Sequence, residues 1–531
     1  MSIPQSTIRV CAGVRLNSRY EHTIYFPDRT TQYNYFAGKV VKTFSAYSFI
    51  RKTWDLNVAA TMEEAASWNY LFFQNSANGK TYYYFVDNIE YVNDNTVRLK
   101  LQIDVLQTYM FDYALLPSFV ERQHTTSDAI GAHTVDEGLE LGEMVSNSCR
   151  NIDPGQLCIM VMCSINPNAT TTEAAVPALP YLYNRVFSGV KLWAINPEKW
   201  VAWGSQLEIL DEIGQTEAIK AMWMYPMQLV KLGGEATWTD ADIAAPVEGA
   251  VSQTESALVY SFDKPYTAIN GYTPRNNKLF VYPYNFAYCT DNSGNAAAYK
   301  FERFTGSQIG FTLSGSLSPD GGVHLTPRNY NGKSYNYQEG MTLKGYPTCA
   351  WDSDIYKMWL AQNQNTNALS LGMAGLKVIG GAAAMYYTGG AAATLGGGAA
   401  IASGATEIMQ HLAQRGDRDL QPPQAKGNFS SSVNITNNML AFTVDFQTIT
   451  AERARIIDDF FTMYGYKIDR VQTPNIHARK SHTYIKTVGC HIDADLCNED
   501  ATKIESIFDR GVTFWTNGDR IGQYGDDNST L

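Results

Sequence analysis

Three groups of side chains in this sequence have the types, if not the spacing, for chemistry. Asp136, Glu137, Glu140 and Glu143 crowd four carboxylates into one short segment. Glycosidic cleavage uses two carboxylates, one protonating the leaving oxygen and one attacking or activating water, and the pair faces a groove from either side. Four on one turn-rich stretch read instead as a solvated surface. His477, His482, His491 and Cys490 are metal-ligand types, but they match no zinc spacing, and Arg479 and Lys480 among them would repel a divalent ion. A solvated or interfacial cluster is expected there, without metal. Arg470, His477, Arg479, Lys480 and Lys486 could meet DNA phosphates or the acids of a neighbouring subunit. Aromatic interleaving is sparse and the chain carries a net charge of -11, which favours the subunit. No Walker A, H-E-x-x-H or G-x-S-x-G pattern occurs. No catalytic residue, metal or cofactor is assigned, and the chain is not expected to be an enzyme.

The segment with the most distinctive physical chemistry is instead apolar. From Leu371 to Ile408 the chain is chiefly Ala and Gly, with Leu376, Val378, Ile379, Met385, Tyr386, Tyr387, Leu395 and Ile401 as its larger apolar members, and no charged residue stands between Lys377 and Glu407. About 20 apolar residues in a helix span a hydrocarbon core of roughly 30 Å, so the run is long enough for a membrane. Its glycines each weaken a helix by about 1 kcal/mol relative to Ala, which makes it a poor anchor on its own. Small residues four apart, such as Gly380 with Ala384 and Gly396 with Ala400, would let copies pack closely. A flexible linker or a low-complexity core helix is the alternative. A hairpin of two helices of roughly 14 residues would reach only about 20 Å, so a single spanning helix, extended arms or the neutral residues before Lys377 must be invoked.

The remaining chain supplies a scaffold. With 531 residues, 45% of them hydrophobic, it can build several cores. Eight cysteines without a CxxC pair read as buried, reduced thiols. The N-terminus has no charged leader before an apolar core, so synthesis in a cytoplasm, that of the host if the chain is viral, is expected.

Aromatic and β-branched residues punctuated by turn formers predict strands around Ile8–Leu16, Tyr25–Pro27, Tyr33–Phe36 and Val40–Ile50. A capping box, Thr61 with Glu64, predicts a short helix. Strands at Tyr70–Phe73, Thr81–Val86 and Thr96–Asp104 form an antiparallel meander, with Asn78-Gly79 as a hairpin signal. Further on, strands are expected at Leu157–Cys163, Tyr260–Phe262 and Gly310–Leu317, and a helix at Trp203–Gly214. Ala451–Met463 is an amphipathic helix with Ala454, Ile457, Phe460 and Phe461 inward and Glu452, Arg455, Asp458 and Asp459 largely outward.

Motifs at both ends carry a resemblance. Ile103-Asp104-Val105-Leu106-Gln107-Thr108-Tyr109-Met110-Phe111-Asp112 is similar to an "IDVLQTxMFD" strand. Ser118–His124 resembles "SFxxREH", departing from it by one position, and Val135–Leu139 resembles "xIDEGL". Later Tyr464-Gly465-Tyr466-Lys467-Ile468-Asp469-Arg470-Val471 with Pro474-Asn475 is similar to "YGYKINRVxxPN", and Phe508–Trp515 to "IFDNGITLW". Together, over about 250 residues, they resemble the tail knob family of small, Salasvirus-like short-tailed phages. The resemblance implies a homo-hexameric ring in the distal tail of the virion, bound to other tail or collar proteins. It implies that double-stranded DNA passes through without sequence-specific binding, and that Leu371–Ile408 is a hydrophobic loop that meets host membrane lipid during genome ejection.

The fold expected is mainly β with some helix (α+β). Residues 1–146 and 428–531 form the two halves of a β-rich, tube-forming discontinuous domain. Residues 147–350 form an inserted β-rich middle region, and 351–427 a helix plus the Ala/Gly loop. A bacterial pore-forming toxin, a surface-binding module and a tail-associated glycan hydrolase are the competing readings.

Overall fold

The computed structural model describes residues 6–349 and 442–531, apart from 51–52, 76–78, 153–154, 176–181, 184–185, 188–189, 216–217, 240–241, 249–256, 292–294, 318–322, 332–339 and 344–347. The segment Leu371–Ile408, expected to be membrane-active, the helix expected from Ser353 and the strand expected at Val433–Thr436 lie outside the described residues. The described chain is mainly β with some helix, as expected.

It divides into two compact units. The first comprises 1–144, 267–284 and 449–531, and the second 145–266 and 285–448. Both chain ends therefore meet in one unit. The division differs from the expected one in two places. Residues 267–284, placed by sequence in the inserted middle, belong with the chain ends. The strand Phe442–Ile449, placed with the C-terminal half, pairs within the second unit alongside Asn285–Thr290.

In the first unit a seven-stranded sheet runs in the order 40–44, 8–12, 68–74, 81–93, 96–103, 55–58, 48–50. The expected meander is its centre, with Tyr70 opposite Phe85 and Tyr84 opposite Ile103. Both faces are covered. Tyr70, Phe72, Tyr83 and Phe85 point into one core, which also takes Ile485, Ile504, Phe508 and Phe514 from the far end of the chain, while Leu71, Tyr84, Val97 and Leu99 fill a second core. Alternation along a strand sends neighbours to opposite faces, and here both faces are apolar.

A five-stranded sheet, ordered 22–24, 512–515, 482–488, 118–123, 466–472, is woven from both chain ends. Only 22–24 with 512–515 is parallel; Phe119 sits opposite both Val471 and Val488.

Two expected strands are helical. Helix α1 is Arg29–Ala37, because Asp28 caps it, its Oδ1 accepting from Thr31 N at 2.8 Å. Gln32 and Phe36, one turn apart, are its buried face, which the aromatic-rich composition disguised as strand. Helix α2, Met62–Ala65, has the expected capping box. The third, α3, is Val105–Tyr109: the preceding strand stops at Ile103, and Asp104 turns the "IDVLQT" motif into a helix start.

The second unit holds three sheets that share one core. One is ordered 144–152, 442–449, 285–290, 296–299, another 245–246, 191–195, 157–163, 219–226, 348–349, and the third 258–263, 308–315, 323–328, 341–343. Helix α4, Trp200–Glu212, buries Trp203, Leu207 and Leu210 against it. Two more helices, α5 at Ala451–Tyr464 and α6 at Asn498–Arg510, complete the first unit.

Candidate functional site

The motif residues meet in the first unit, and each has a physical task. Asp104, 1% exposed, accepts from Gln107 N at 3.1 Å through Oδ1 and from the Tyr70 hydroxyl at 2.9 Å through Oδ2. Burial pushes its carboxyl up to about 6. Tyr20, held at φ 57°, sets its hydroxyl on the same turn, donating to Ile103 O and accepting from Val105 N. The Gln107 amide donates to Thr23 Oγ1 and Ile24 O and accepts from Gln32 Nε2. One side chain thereby ties α3 to α1 and to strand 22–24. Val105 and Leu106 are buried beside it.

The second and third motifs form a charge lock. Glu137, whose side chain is 0% exposed, pairs with both Arg122 and Lys278, and its Oε1 also accepts from Lys467 N at 2.9 Å. Burial lowers the Lys278 ammonium, with Glu137 opposing that shift. The surface expected for the acidic segment is therefore wrong at Glu137, while Glu140 is exposed and reaches Arg453 at 3.2 Å. With its oxygens taken by two cations and an amide, Glu137 serves the fold as a buried counter-charge.

At the fourth motif, α5 ends at Gly465, φ 64°. A Cβ there would fall well inside the van der Waals radii of Gln123 C and O and His124 N, so only glycine lets the two backbones pass. Tyr466 donates its hydroxyl to Asp128. Asn475, following Pro474, accepts from His477 N at 2.9 Å and shapes the loop to the next strand. In the last motif Asp509 accepts from Thr487 Oγ1, Gly489 N and Cys490 N.

Asp458 was assigned to the outer face of α5, yet it is 0% exposed. Its oxygens take Tyr272 Oη at 2.7 Å, Arg275 N and Asn276 N at 3.0 Å and Asn276 Nδ2 at 2.9 Å. This carboxylate holds 267–284 to the first unit. The expected face is otherwise found, with Ala454, Ile457 and Phe461 buried, Phe460 half-buried and Glu452, Arg455 and Asp459 exposed.

The three histidines differ: His491 is exposed, while the other two pack against aromatic rings. His482 is fully buried, its ring between Trp515 and Tyr524, while His477 stacks on Tyr25 with centroids 4.2 Å apart. His124 and His482 both direct Nε2 to Thr462 O, at 3.1 and 2.8 Å. Burial holds His482 below the ordinary imidazole range, and His124 well below it, where the positive charge of Arg479 and the neighbouring His482 add to the effect. Among the described residues no group of three or more His, Cys, Asp and Glu is placed to hold a metal ion. Cys11, Cys158, Cys163, Cys289 and Cys490 are buried and unpaired, whereas Cys149 and Cys497 are exposed, against expectation.

The motifs thus join chain segments up to some 350 residues apart and leave no nucleophile activated by a base among them. They are a fold signature. Comparison with known proteins agrees. The family described as Bacillus phage phi29, Tail knob protein gp9, C-terminal domain, matches residues 250–529, and that of the Caudoviral major tail protein N-terminus matches 4–114. The tail knob protein gp9 of Bacillus phage PZA is 27% identical over 98% of this chain and 98% of its own length. Its counterpart in Bacillus phage B103 is 26% identical over 97% of each. The solved bacteriophage C1 tail knob protein, gp12, shares the fold, with a TM-score of 0.64 over 99% of this chain and 100% of that one at 14% identity.

Proposed function

The chain belongs to the family of the Bacillus phage phi29 tail knob protein, and from that membership we propose that it is a structural component of a virion's distal tail. Copies assemble into a hexameric ring with other tail or collar proteins around it. The β-rich parts wall a conduit through which double-stranded DNA passes, and an acidic surface lets DNA slide without a sequence-specific grip. The segment 371–408, with Leu376, Val378, Ile379, Met385, Tyr386, Tyr387, Leu395 and Ile401, plugs the ring and is released into the host membrane at genome ejection. The unit of 1–144, 267–284 and 449–531 serves as the tube, the unit of 145–266 and 285–448 as its insertion, and 351–427 as the carrier of the loop.

The observation that carries this reading is the family match, read together with the charge-free run between Lys377 and Glu407. Six weak segments held in one ring multiply buried area, which gives a membrane role to a sequence too Gly-rich to insert alone. A subunit contact has a suitable surface. Val471, Phe119 and Val488, at 67, 38 and 55% exposure, lie side by side on three adjoining strands. Native mass spectrometry tests the ring. Hexamers of the intact chain that break down to protomers on F119E/V488E support it, and a monomer at every concentration overturns it.

A further inference from the structure

Arg479 is 5% exposed, and its Nε has no hydrogen-bond partner. Among the described residues its guanidinium has no ion pair, although its backbone is fixed: Arg479 N donates to Thr483 Oγ1, and Arg479 bridges Thr530 in antiparallel fashion. The side chain lines a cavity of about 420 Å³ together with residues 525–530, Asp128, Asn276 and Thr462. That volume falls in the range of about 300–1,000 Å³ typical of small-molecule sites.

The other titratable groups lining the cavity already have partners. Asp128 accepts from the Tyr466 hydroxyl and from Asn277 N. Asp526 takes Arg520 Nε at 2.8 Å and Nη2 at 2.6 Å. Asp527 accepts from Ser529 N at 3.0 Å and pairs with Lys480 at 3.5 Å. His124 spends Nε2 on Thr462 O and accepts Tyr484 N at Nδ1, so neither ring nitrogen is left for a ligand. The unmet demand is therefore for an acceptor at Arg479. A buried cation without one is costly to the fold.

We propose that this cavity is a binding site for a small oxyanion, phosphate or carboxylate, held by the guanidinium of Arg479. The planar fork of arginine matches two oxygens of either group. Arg275, on the rim, adds positive field while its Nε serves Asp458. Asp128, Asp526 and Asp527 restrict the occupant to a small anion, because a polyanion would set spare charge against them.

The test uses the full chain in chloride buffer, titrated with inorganic phosphate or acetate at constant ionic strength, and follows the melting temperature and the ³¹P line width. The wild type gains a saturable rise of about 1–3 °C and broadens the phosphate resonance. Arg479→Met loses both responses and, in chloride alone, melts no lower than the wild type, because it removes an uncompensated charge. Arg479→Lys keeps part of the response. A shift with phosphate alone assigns a tetrahedral ligand, and one with acetate as well assigns the wider oxyanion class. Indifference of the wild type to both anions overturns the site. So does an equal response in Arg479→Met, or a large loss of stability in that variant without anion, which would mean that Arg479 has a structural partner.

Discussion

Gly465 and Glu137 do the most specific work of any single residues here. Gly465→Ala combines a strained φ with backbone overlap at Gln123, so we expect a loss above about 3 kcal/mol. Gly489, at φ 66° with nothing within 4 Å of its missing Cβ, isolates the conformational part. Gly489→Ala should cost only about 1 kcal/mol. Equal melting temperatures for the two variants would refute the steric argument. Glu137→Gln leaves Arg122 and Lys278 buried without their shared counter-charge and should cost about 3–5 kcal/mol by urea unfolding, whereas Glu140→Gln, on an exposed carboxylate, should cost under about 1 kcal/mol. Neither Glu137 nor Asp458 was legible as buried. Their partners, Lys278 and Asn276, come from a segment about 140 and 180 residues away, and no local periodicity records such a contact.

Among the elements, those governed by local chemistry were legible and those governed by distant packing were not. The capping box of α2 and the central meander follow from nearest neighbours, while α1 reads as strand because aromatic content outweighs its capping aspartate, and α3 because the motif that holds it resembles a strand. Asp28→Ala should therefore cost about 1 kcal/mol and shift the melting temperature, whereas Asp28→Asn, which keeps the cap, should be nearly neutral. The strand 482–488 and helix α5 meet over the buried pair His124 and His482. Both imidazoles titrate below the ordinary value of 6.5, so the unfolded chain binds the protons first. Stability tied to them is full above about pH 6.5 and falls as pH drops below it, by at most about 1.4 kcal/mol per pH unit for each proton. Asp104 works in the opposite direction, losing its contribution as pH rises from about 4 towards 6. The comparison with His124→Gln isolates the imidazole: the wild type should lose stability relative to that variant between pH 7.5 and 5.5, and parallel curves would exclude its titration.

In the molecule as a whole, both chain ends fold into one unit and the middle into another, apart from 267–284, which the Asp458 network returns to the first. Pairing strands over 340 residues apart implies slow assembly of the first unit, since long loops close before their contacts form. The family was legible because its motifs sit where distant segments join, which leaves them few alternatives. The proposed membrane role, drawn from the family match and the charge-free run between Lys377 and Glu407, is the central claim. Its most direct measurement is dye release from liposomes at acidic and neutral pH, comparing the intact chain with one in which 371–408 is replaced by a short Gly/Ser linker, both verified as rings. Leakage by the intact ring and none by the loopless ring is the predicted result. Two assembled rings that leak equally, or an intact ring that leaks at neither pH, would contradict it.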